Sequence, residues 1–361
     1  MKWMFTDGHR RLPVEGMIVV LALATRLAGT AEACGAYIQQ NLFSDVPHLA
    51  RRTDSNVVNA WGIAITPNGR IWVADNGTGV STVYSLKGKS VPLVVTIPTA
   101  AVAGIAFNPS PDFVVASGSA SGPSLFIFTT EPGGIAGWNP NVNRTAAILA
   151  VNNAGSEAIY KGLAIGRNPT GQFLYVTDFR NGRIDVFDSH FAPATLAGSF
   201  VDPDIRAGFA PFGISNIGGQ LFVTYALQDE DKEDDVAGPG NGFVNVFDTD
   251  GNPVRRFASQ GTLNSPWGLA LAPSCFGKFS GDLLVGNFGD GHISAFDPGT
   301  GDFVGQVTDQ HGDPVEIDGL WSLTFSDQAW QPCGPKDKLI FTAGPEDENH
   351  GLFGFLRAIG R

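Results

Sequence analysis

A five-residue pattern in which large and small side chains alternate occurs six times along this chain. The copies begin at residues 61, 103, 161, 212, 267 and 321 and read Trp-Gly-Ile-Ala-Ile, Ala-Gly-Ile-Ala-Phe, Lys-Gly-Leu-Ala-Ile, Phe-Gly-Ile-Ser-Asn, Trp-Gly-Leu-Ala-Leu and Trp-Ser-Leu-Thr-Phe. Alternation with period two predicts a β-strand. Successive copies are 42 to 58 residues apart, an interval typical of propellers and other repeat architectures. The pattern therefore predicts an all-β protein, a six-bladed β-propeller that forms one domain.

Each repeat continues into further strands, so that a blade is expected to contain four, named a to d from the centre outwards. Glycines such as those at 77, 182 and 291 mark the hairpin turns, where positive φ is needed. The predicted blades span about residues 58–97, 103–151, 160–202, 210–259, 265–309 and 318–359. The last repeat lacks strand d, and residues 37–43 are the expected donor, since pairing the two chain ends removes an exposed sheet edge.

The first 33 residues have the pattern of a signal peptide. Two arginines at 10 and 11 precede an apolar run over 17–24, and Ala31-Glu32-Ala33 fits a cleavage site. That run is far shorter than the roughly 20 residues needed to span a bilayer. We therefore expect cleavage near Ala33, export to the periplasm or the cell exterior, and a mature propeller over 34–361 without a membrane span.

The net charge narrows the expected partners, and the cysteine positions indicate a candidate disulfide. The net charge is −12, and such a surface repels nucleic acid. Cys275 and Cys333 occupy comparable places in repeats five and six, so in an oxidising compartment they are a disulfide candidate, with two unrelated thiols as the alternative. Cys34 would be the first residue after cleavage, and the sequence leaves open whether it carries a lipid.

Several longer motifs connect this chain to a known group. They are the segments 59–64 (Asn-Ala-Trp-Gly-Ile-Ala), 75–79 (Asp-Asn-Gly-Thr-Gly), 234–242, 263–270 and 281–291. Together with the Val-x-Asp hairpins they resemble the NHL-repeat group of six-bladed propellers, and more specifically an uncharacterised family of exported, mostly bacterial proteins. The resemblance covers nearly the whole mature chain and implies the fold and export, but no activity.

In a propeller, the turns from strand b to c and from strand d to the next strand a surround one mouth of the channel. Ligand-binding candidates at this face are Trp61, Asp75, Asn76, Lys161, Asp178, Arg180, Tyr225, Trp267, Asn287 and Trp321. Asp and Asn in these turns have an alternative role, which is to satisfy backbone groups. The tryptophans form either an aromatic rim for a sugar or lactone or part of the core between blades. Lys161 must face the channel or pair with a carboxylate.

The turn between strands b and c of repeat four is unusually long and acidic. It runs from 225 to 242 and contains Gln-Asp-Glu-Asp-Lys-Glu-Asp-Asp at 228–235. This insertion fits a lid or a divalent-cation loop, with a solvated charged loop as the alternative. Candidate metal ligands are Asp75, Glu131, Asp178, Asn287, Asp229, Asp234 and Asp235, and Ca²⁺ is the expected ion because these oxygen ligands are hard.

Two functions from different classes follow. The first is a non-enzymatic exported propeller that binds a small molecule or an extracytoplasmic protein at the channel mouth. The second is a divalent-metal-dependent hydrolase or lactonase that uses carboxylates and amides around the channel. The sequence contains neither a nucleophile elbow nor a zinc-protease motif, and it does not decide whether the protein is an enzyme.

Overall fold

A computed structural model describes residues 35–85, 87–325 and 338–359. The N-terminal part forms β1 (Ala36–Ser44) and β2 (Arg52–Thr53). The first sheet of the ring contains β3 (Ala60–Ile65), β4 (Arg70–Asp75), β5 (Val80–Ser85) and β6 (Ser90–Thr96). The second begins with β7 (Val102–Phe107), is interrupted by a separate hairpin of β8 (Val114–Ser117) and β9 (Ala120–Pro123), and continues with β10 (Phe126–Thr130), β11 (Gly134–Trp138) and β12 (Ile148–Asn152).

The remaining four sheets follow in chain order. The third contains β13 (Tyr160–Asn168), β14 (Gly171–Asp178) and β15 (Arg183–Phe187), and the fourth contains β16 (Phe209–Ile217), β17 (Gln220–Leu227), β18 (Phe243–Phe247) and β19 (Pro253–Ser259). The fifth contains β20 (Pro266–Leu271), β21 (Leu283–Asn287), β22 (Ile293–Phe296) and β23 (Phe303–Gln306), and the sixth contains β24 (Leu320–Phe325), β25 (Lys338–Ala343) and β26 (Leu352–Ile359). Short 3₁₀ helices span Asn76–Thr78, Ala154–Ser156 and Gly277–Phe279. The six pentapeptides thus lie in the innermost strands of a six-bladed propeller.

The N-terminal strand lies in the same sheet as the C-terminal strand. β1 pairs with β26 in antiparallel register, from Ala36 opposite Ile359 to Ser44 opposite Leu352. Tyr37 and Phe43 of β1 are buried, and the Tyr37 hydroxyl donates a 2.7 Å hydrogen bond to the Phe276 carbonyl of the preceding blade. The sixth sheet therefore contains both the first and the last strands of the described residues.

The third sheet has three strands, not the predicted four. Pro193 has no N–H to extend a ladder beside β15, and only an isolated bridge joins it to Phe187. Beyond it, the N–H groups of Gly198 and Phe200 donate to the carbonyls of Asp250 and Gly251. The outer segment of this blade consequently bonds to a turn of the next blade.

Each innermost strand has a β-bulge at the start of its pentapeptide. The register shifts between Ala60 and Ile63, and between Tyr160 and Leu163, show this in the first and third blades, and the other four blades have the same irregularity. A bulge removes ladder partners from the backbone and changes the direction of a side chain. The backbone groups at this place therefore need other partners.

In the second, third and sixth blades, a threonine of the neighbouring strand supplies those partners. Thr177 accepts a 2.7 Å hydrogen bond from the Gly162 N–H and donates a 2.8 Å bond to the Phe212 carbonyl of the next blade. Thr129 and Thr342 bridge blades in the same way, to the carbonyls of the next pentapeptides. We call this arrangement the threonine bridge.

The glycine at the second place of the pentapeptide allows the blades to approach closely. A Cβ atom on Gly62 would lie 2.6 Å from the Ala103 carbonyl oxygen, and one on Gly213 would lie 2.4 Å from the Trp267 carbonyl oxygen. Both contacts are with backbone of the next blade, which has no side-chain freedom to move aside. The repeated glycine is therefore explained by packing around the axis.

Candidate functional site

The first side chains of the pentapeptides converge at the channel axis. Trp61, Phe212, Trp267 and Trp321 pack together with Ala103 in one buried cluster, and we call these four aromatic residues the aromatic plug. The ring centres of Trp61 and Trp321 are 4.1 Å apart, and those of Trp267 and Trp321 are 5.9 Å apart. The predicted ligand candidates Trp61, Trp267 and Trp321 are thus buried in the core rather than exposed on a rim.

Lys161 occupies the same place in the third blade, and its ammonium group is buried. Its Nζ lies 2.6 Å from Glu131 and 3.3 Å from Asp234, and it lies 5.0 Å from the ring centre of Trp61. Burial opposes the charged form, but the two carboxylates outweigh it and raise the pKa of Lys161 above its usual value. The charge that the sequence singled out is therefore compensated by carboxylates at the channel mouth.

Asparagine side chains extend this ion pair into a network. Asn76 donates a 3.0 Å hydrogen bond to Glu131, and Asn59 donates a 2.5 Å bond to Glu348. The Asn59 oxygen in turn accepts a 2.9 Å bond from the indole N–H of Trp321. The network thus fixes two glutamates above the aromatic plug.

An acidic pocket lies at this mouth of the channel. Its volume is about 560 Å³, and it is lined by Glu131, Pro132, Ala154, Glu157, Ala158, Ile159, Arg180, Glu233, Asp234 and Glu348. Burial is the largest influence on Glu348 and raises its pKa to about 7, although the hydrogen bond from Asn59 and the charge of Lys161 act in the opposite direction. In the described part of the chain, Glu348 has no ion pair with a lysine or arginine.

The acidic insertion packs against this pocket. Asp229 and Asp235 flank a small turn in which the Asp229 N–H bonds to the Asp234 carbonyl. Asp234 contacts Lys161, and Glu233 forms an ion pair with Arg180. Burial raises the pKa of Asp235 to about 6. The insertion is therefore held in place by two cations of the third blade.

The other predicted turn residues serve their own blades. Asp75 and Asp178 are fully buried, with Asp75 accepting a 2.8 Å bond from Thr82 and Asp178 accepting bonds from the N–H groups of Ile159 and Asn181. Burial raises the pKa of Asp75 well above its usual value. The side-chain amide of Asn287 donates a 2.7 Å hydrogen bond to the Thr262 carbonyl. These contacts match the turn-stabilising alternative.

Tyr225 also lies away from the mouth surface, because its ring is buried in the core between the third and fourth blades.

Within the described residues, no three His, Cys, Asp or Glu side chains are grouped closely enough to hold a metal ion. Cys275 is described, but Cys333, Cys34 and the signal-peptide segment lie outside the described residues.

The Asn59 and Glu348 contributions were not anticipated from the sequence. Asn59 stands two residues before Trp61 in the segment 59–64, and this position beside a repeated inner strand could have identified it as a site residue. Glu348 lies 289 residues from Asn59 in the chain and belongs to no repeated motif, so only the fold shows that the two side chains meet.

The fold and the repeated inner strands define the class of protein, a six-bladed β-propeller with NHL-like repeats. A family model described as NHL repeat matches residues 58–83. Uncharacterized protein R648 of Acanthamoeba polyphaga mimivirus is 36% identical over 329 residues, which cover 87% of this chain and 78% of the relative. Uncharacterized protein L690 of the same virus is 34% identical over 342 residues, with coverages of 91% and 87%. The chain belongs to the uncharacterised NHL-like propeller family that includes these two proteins.

Solved structures agree with this fold at much lower identity. A protein of unknown function from Bacteroides thetaiotaomicron superposes with a TM-score of 0.56 and 11% identity, covering 89% of this chain and 76% of that one. Catalytically inactive virginiamycin B lyase from Staphylococcus aureus, solved with quinupristin, superposes with a TM-score of 0.51 and 13% identity, with coverages of 90% and 99%. At such identities the likeness concerns the fold alone. No helix in the described ranges is long and apolar enough to cross a bilayer.

Proposed function

We propose that this propeller binds a ligand bearing a positively charged amino group in the acidic pocket. The observation that carries the proposal is the position of Glu348, a pocket carboxylate that is held by Asn59 and not paired with a cation of the described chain. Removing a carboxylate from water is unfavourable unless it gains a charged partner, and a bound ammonium group would provide that partner.

The composition of the pocket supports the same charge preference. Five of its lining residues carry carboxylates, whereas Arg180 is its one cationic lining residue in the described chain. Both nearby cations are already engaged, Lys161 with Glu131 and Asp234 and Arg180 with Glu233. A cationic ligand therefore fits this pocket better than an anionic one.

Binding is favoured over metal-dependent hydrolysis by the roles of the candidate ligands. The hydrolase hypothesis assigns Asp75, Asp178 and Asn287 to a shared cation. Asp75 and Asp178 instead bond within their own blades, and Asn287 bonds to Asp290 and to the segment before β20. Glu131 is engaged by Lys161. We also propose Ca²⁺ as an alternative occupant of the acidic pocket, because carboxylate oxygens are the ligands that this ion prefers. If the chain is exported as its N-terminus predicts, the ligand is an extracytoplasmic amine or the basic segment of a protein.

Calorimetric titration with a diamine tests the proposal. We expect 1,4-diaminobutane to bind at pH 8 and the uncharged 1,4-butanediol not to bind. Binding should weaken at pH 5.5, because the pKa of Glu348 is raised to about 7 and this carboxyl group is therefore largely protonated there. The same protein with added Ca²⁺ should show a rise in melting temperature only if calcium binds the native state.

Two variants of the same turn provide the control. Glu348→Gln should weaken diamine binding about tenfold, which corresponds to ~1.4 kcal/mol. Glu346→Gln should change it by less than about twofold, since the Glu346 side chain is 76% exposed and rim charges contribute little to affinity. Equal binding of diamine and diol, or equal affinities of the two variants, would contradict the proposal.

A further inference from the structure

We propose that the opposite end of the channel is a second binding site, for an uncharged and largely apolar small molecule. This cavity has a volume of about 950 Å³, within the range of typical small-molecule sites. Its lining includes Trp267 of the aromatic plug and the turn residues 66–69 of the first blade. We call it the uncharged cavity.

The absence of charge from this lining selects the ligand. Every described residue that lines the cavity is apolar, glycine or neutral polar, although 16% of the residues in the whole chain are charged. A charged ligand group would lose its hydration there without gaining an ionic partner. The two mouths of the channel therefore differ in chemistry, one rich in carboxylates and the other neutral.

The walls combine apolar side chains with backbone hydrogen-bonding groups. Ile63, Leu163 and Ile214 contribute apolar surface. Each innermost strand is the terminal strand of its sheet, so one backbone edge has no neighbouring strand in that sheet, and unpaired N–H and C=O groups seek partners. A ligand with an apolar body and neutral amide or hydroxyl groups satisfies both features.

Trp267 connects the aromatic plug with the cavity, because it belongs to the buried cluster at the axis and is also one of the lining residues. The residue is only 9% exposed. Its indole N–H is buried and has no hydrogen-bond partner in the described residues, so the bound molecule is not assigned a contact with that group.

A matched pair of fluorescent probes tests the inference. N-phenyl-1-naphthylamine is uncharged, and 8-anilino-1-naphthalenesulfonate has the same ring system with a sulfonate. We expect the uncharged probe to bind with one site per chain, with enhanced probe fluorescence and quenched tryptophan emission. We expect the sulfonate to bind at least tenfold more weakly.

Two fifth residues of the repeat provide the variant and its control. Ile65 lines the cavity, whereas Leu271 is 42% exposed and lies outside it. Ile65→Glu should weaken binding of the uncharged probe at least fivefold, and Leu271→Glu should leave it unchanged. Thr324→Glu, also in the lining, provides a second variant, and circular dichroism identifies any variant that fails to fold.

Several outcomes would overturn the inference: no binding of the uncharged probe, equal binding of both probes, or equal affinities of the folded Ile65→Glu or Thr324→Glu variant and the Leu271→Glu control. This site does not depend on the proposed cation pocket. Saturating 1,4-diaminobutane and the Glu348→Gln variant should both leave probe binding unchanged, so failure of one proposal is distinguishable from failure of the other.

Discussion

Replacing Thr177 by valine removes one threonine bridge while keeping the shape of the side chain. Thr177 is fully buried and joins the Gly162 N–H of its own blade to the Phe212 carbonyl of the next. Both backbone groups lie in bulges, where the ladder provides no substitute. Thr177→Val therefore leaves a buried donor and a buried acceptor without their partner.

The expected loss follows from these two groups. An unsatisfied buried polar group costs about 1–3 kcal/mol, and the packing term is small because valine is close to threonine in volume. Thr177→Val should therefore lower the free energy of unfolding by roughly 2–6 kcal/mol, which is the sum for the two groups. Thr177→Ser retains the hydroxyl and should recover most of this loss.

Equilibrium urea unfolding, followed by tryptophan fluorescence, measures the difference. Thr145→Val is the control, because Thr145 is exposed and such surface substitutions change stability by less than about 0.5 kcal/mol. The threonine bridge would be refuted as a source of stability if Thr177→Val and Thr145→Val unfolded at the same urea concentration, or if Thr177→Ser were as unstable as the valine variant.

Three further predictions concern the axis and the acidic pocket. Lys161→Met leaves the carboxylates of the ion pair without their cation and should cost roughly 3 kcal/mol of stability. A double-mutant cycle with Glu131→Gln should show a coupling energy of at least about 1 kcal/mol. Additive effects of the two substitutions would contradict the ion pair. Gly213→Ala places a Cβ atom against the backbone of the next blade and should lower stability by about 1–3 kcal/mol. The control is Gly155→Ala, which has no heavy atom within 4 Å of the added Cβ and should leave stability unchanged. Thermal unfolding of the two variants measures the difference. The pKa of Glu348 rises to about 7 from a usual 4.5, so between these pH values the folded protein holds more protons than the unfolded chain. Stability should therefore fall as pH rises from about 4.5 to 7. Urea unfolding at several pH values should show a weaker pH dependence for Glu348→Gln, and an unchanged dependence would contradict the raised pKa.

The alternating pentapeptide was enough to predict the inner strands and the number of blades, because a period of two and a regular spacing are local properties. The same pattern left the tryptophans with two roles, and the structure shows them buried at the axis. Their direction depends on a bulge at the start of each strand, and alternation alone does not reveal a bulge. The threonine bridge had a visible signal, since Thr129, Thr177 and Thr342 each follow a hydrophobic residue near the end of the strand beside the innermost one.

The candidate site was only partly predictable for a related reason. Sequence reasoning required Lys161 to face the channel or pair with a carboxylate, and the structure shows pairing with Glu131 and Asp234. The second partner is 73 residues away in an insertion without a repeated counterpart. Chain ends and insertions lack the periodic signal that places a repeat, so Glu348 and the course of the acidic insertion required three-dimensional information.

A crystal structure of the protein soaked with 1,4-diaminobutane at pH 8 tests the central claim most directly. We predict density for the diamine in the acidic pocket, with an ammonium nitrogen about 2.7–2.9 Å from a Glu348 carboxylate oxygen, the distance of a charge-assisted hydrogen bond. A diamine found instead in the uncharged cavity, or a pocket without diamine density at a saturating concentration, would contradict the account.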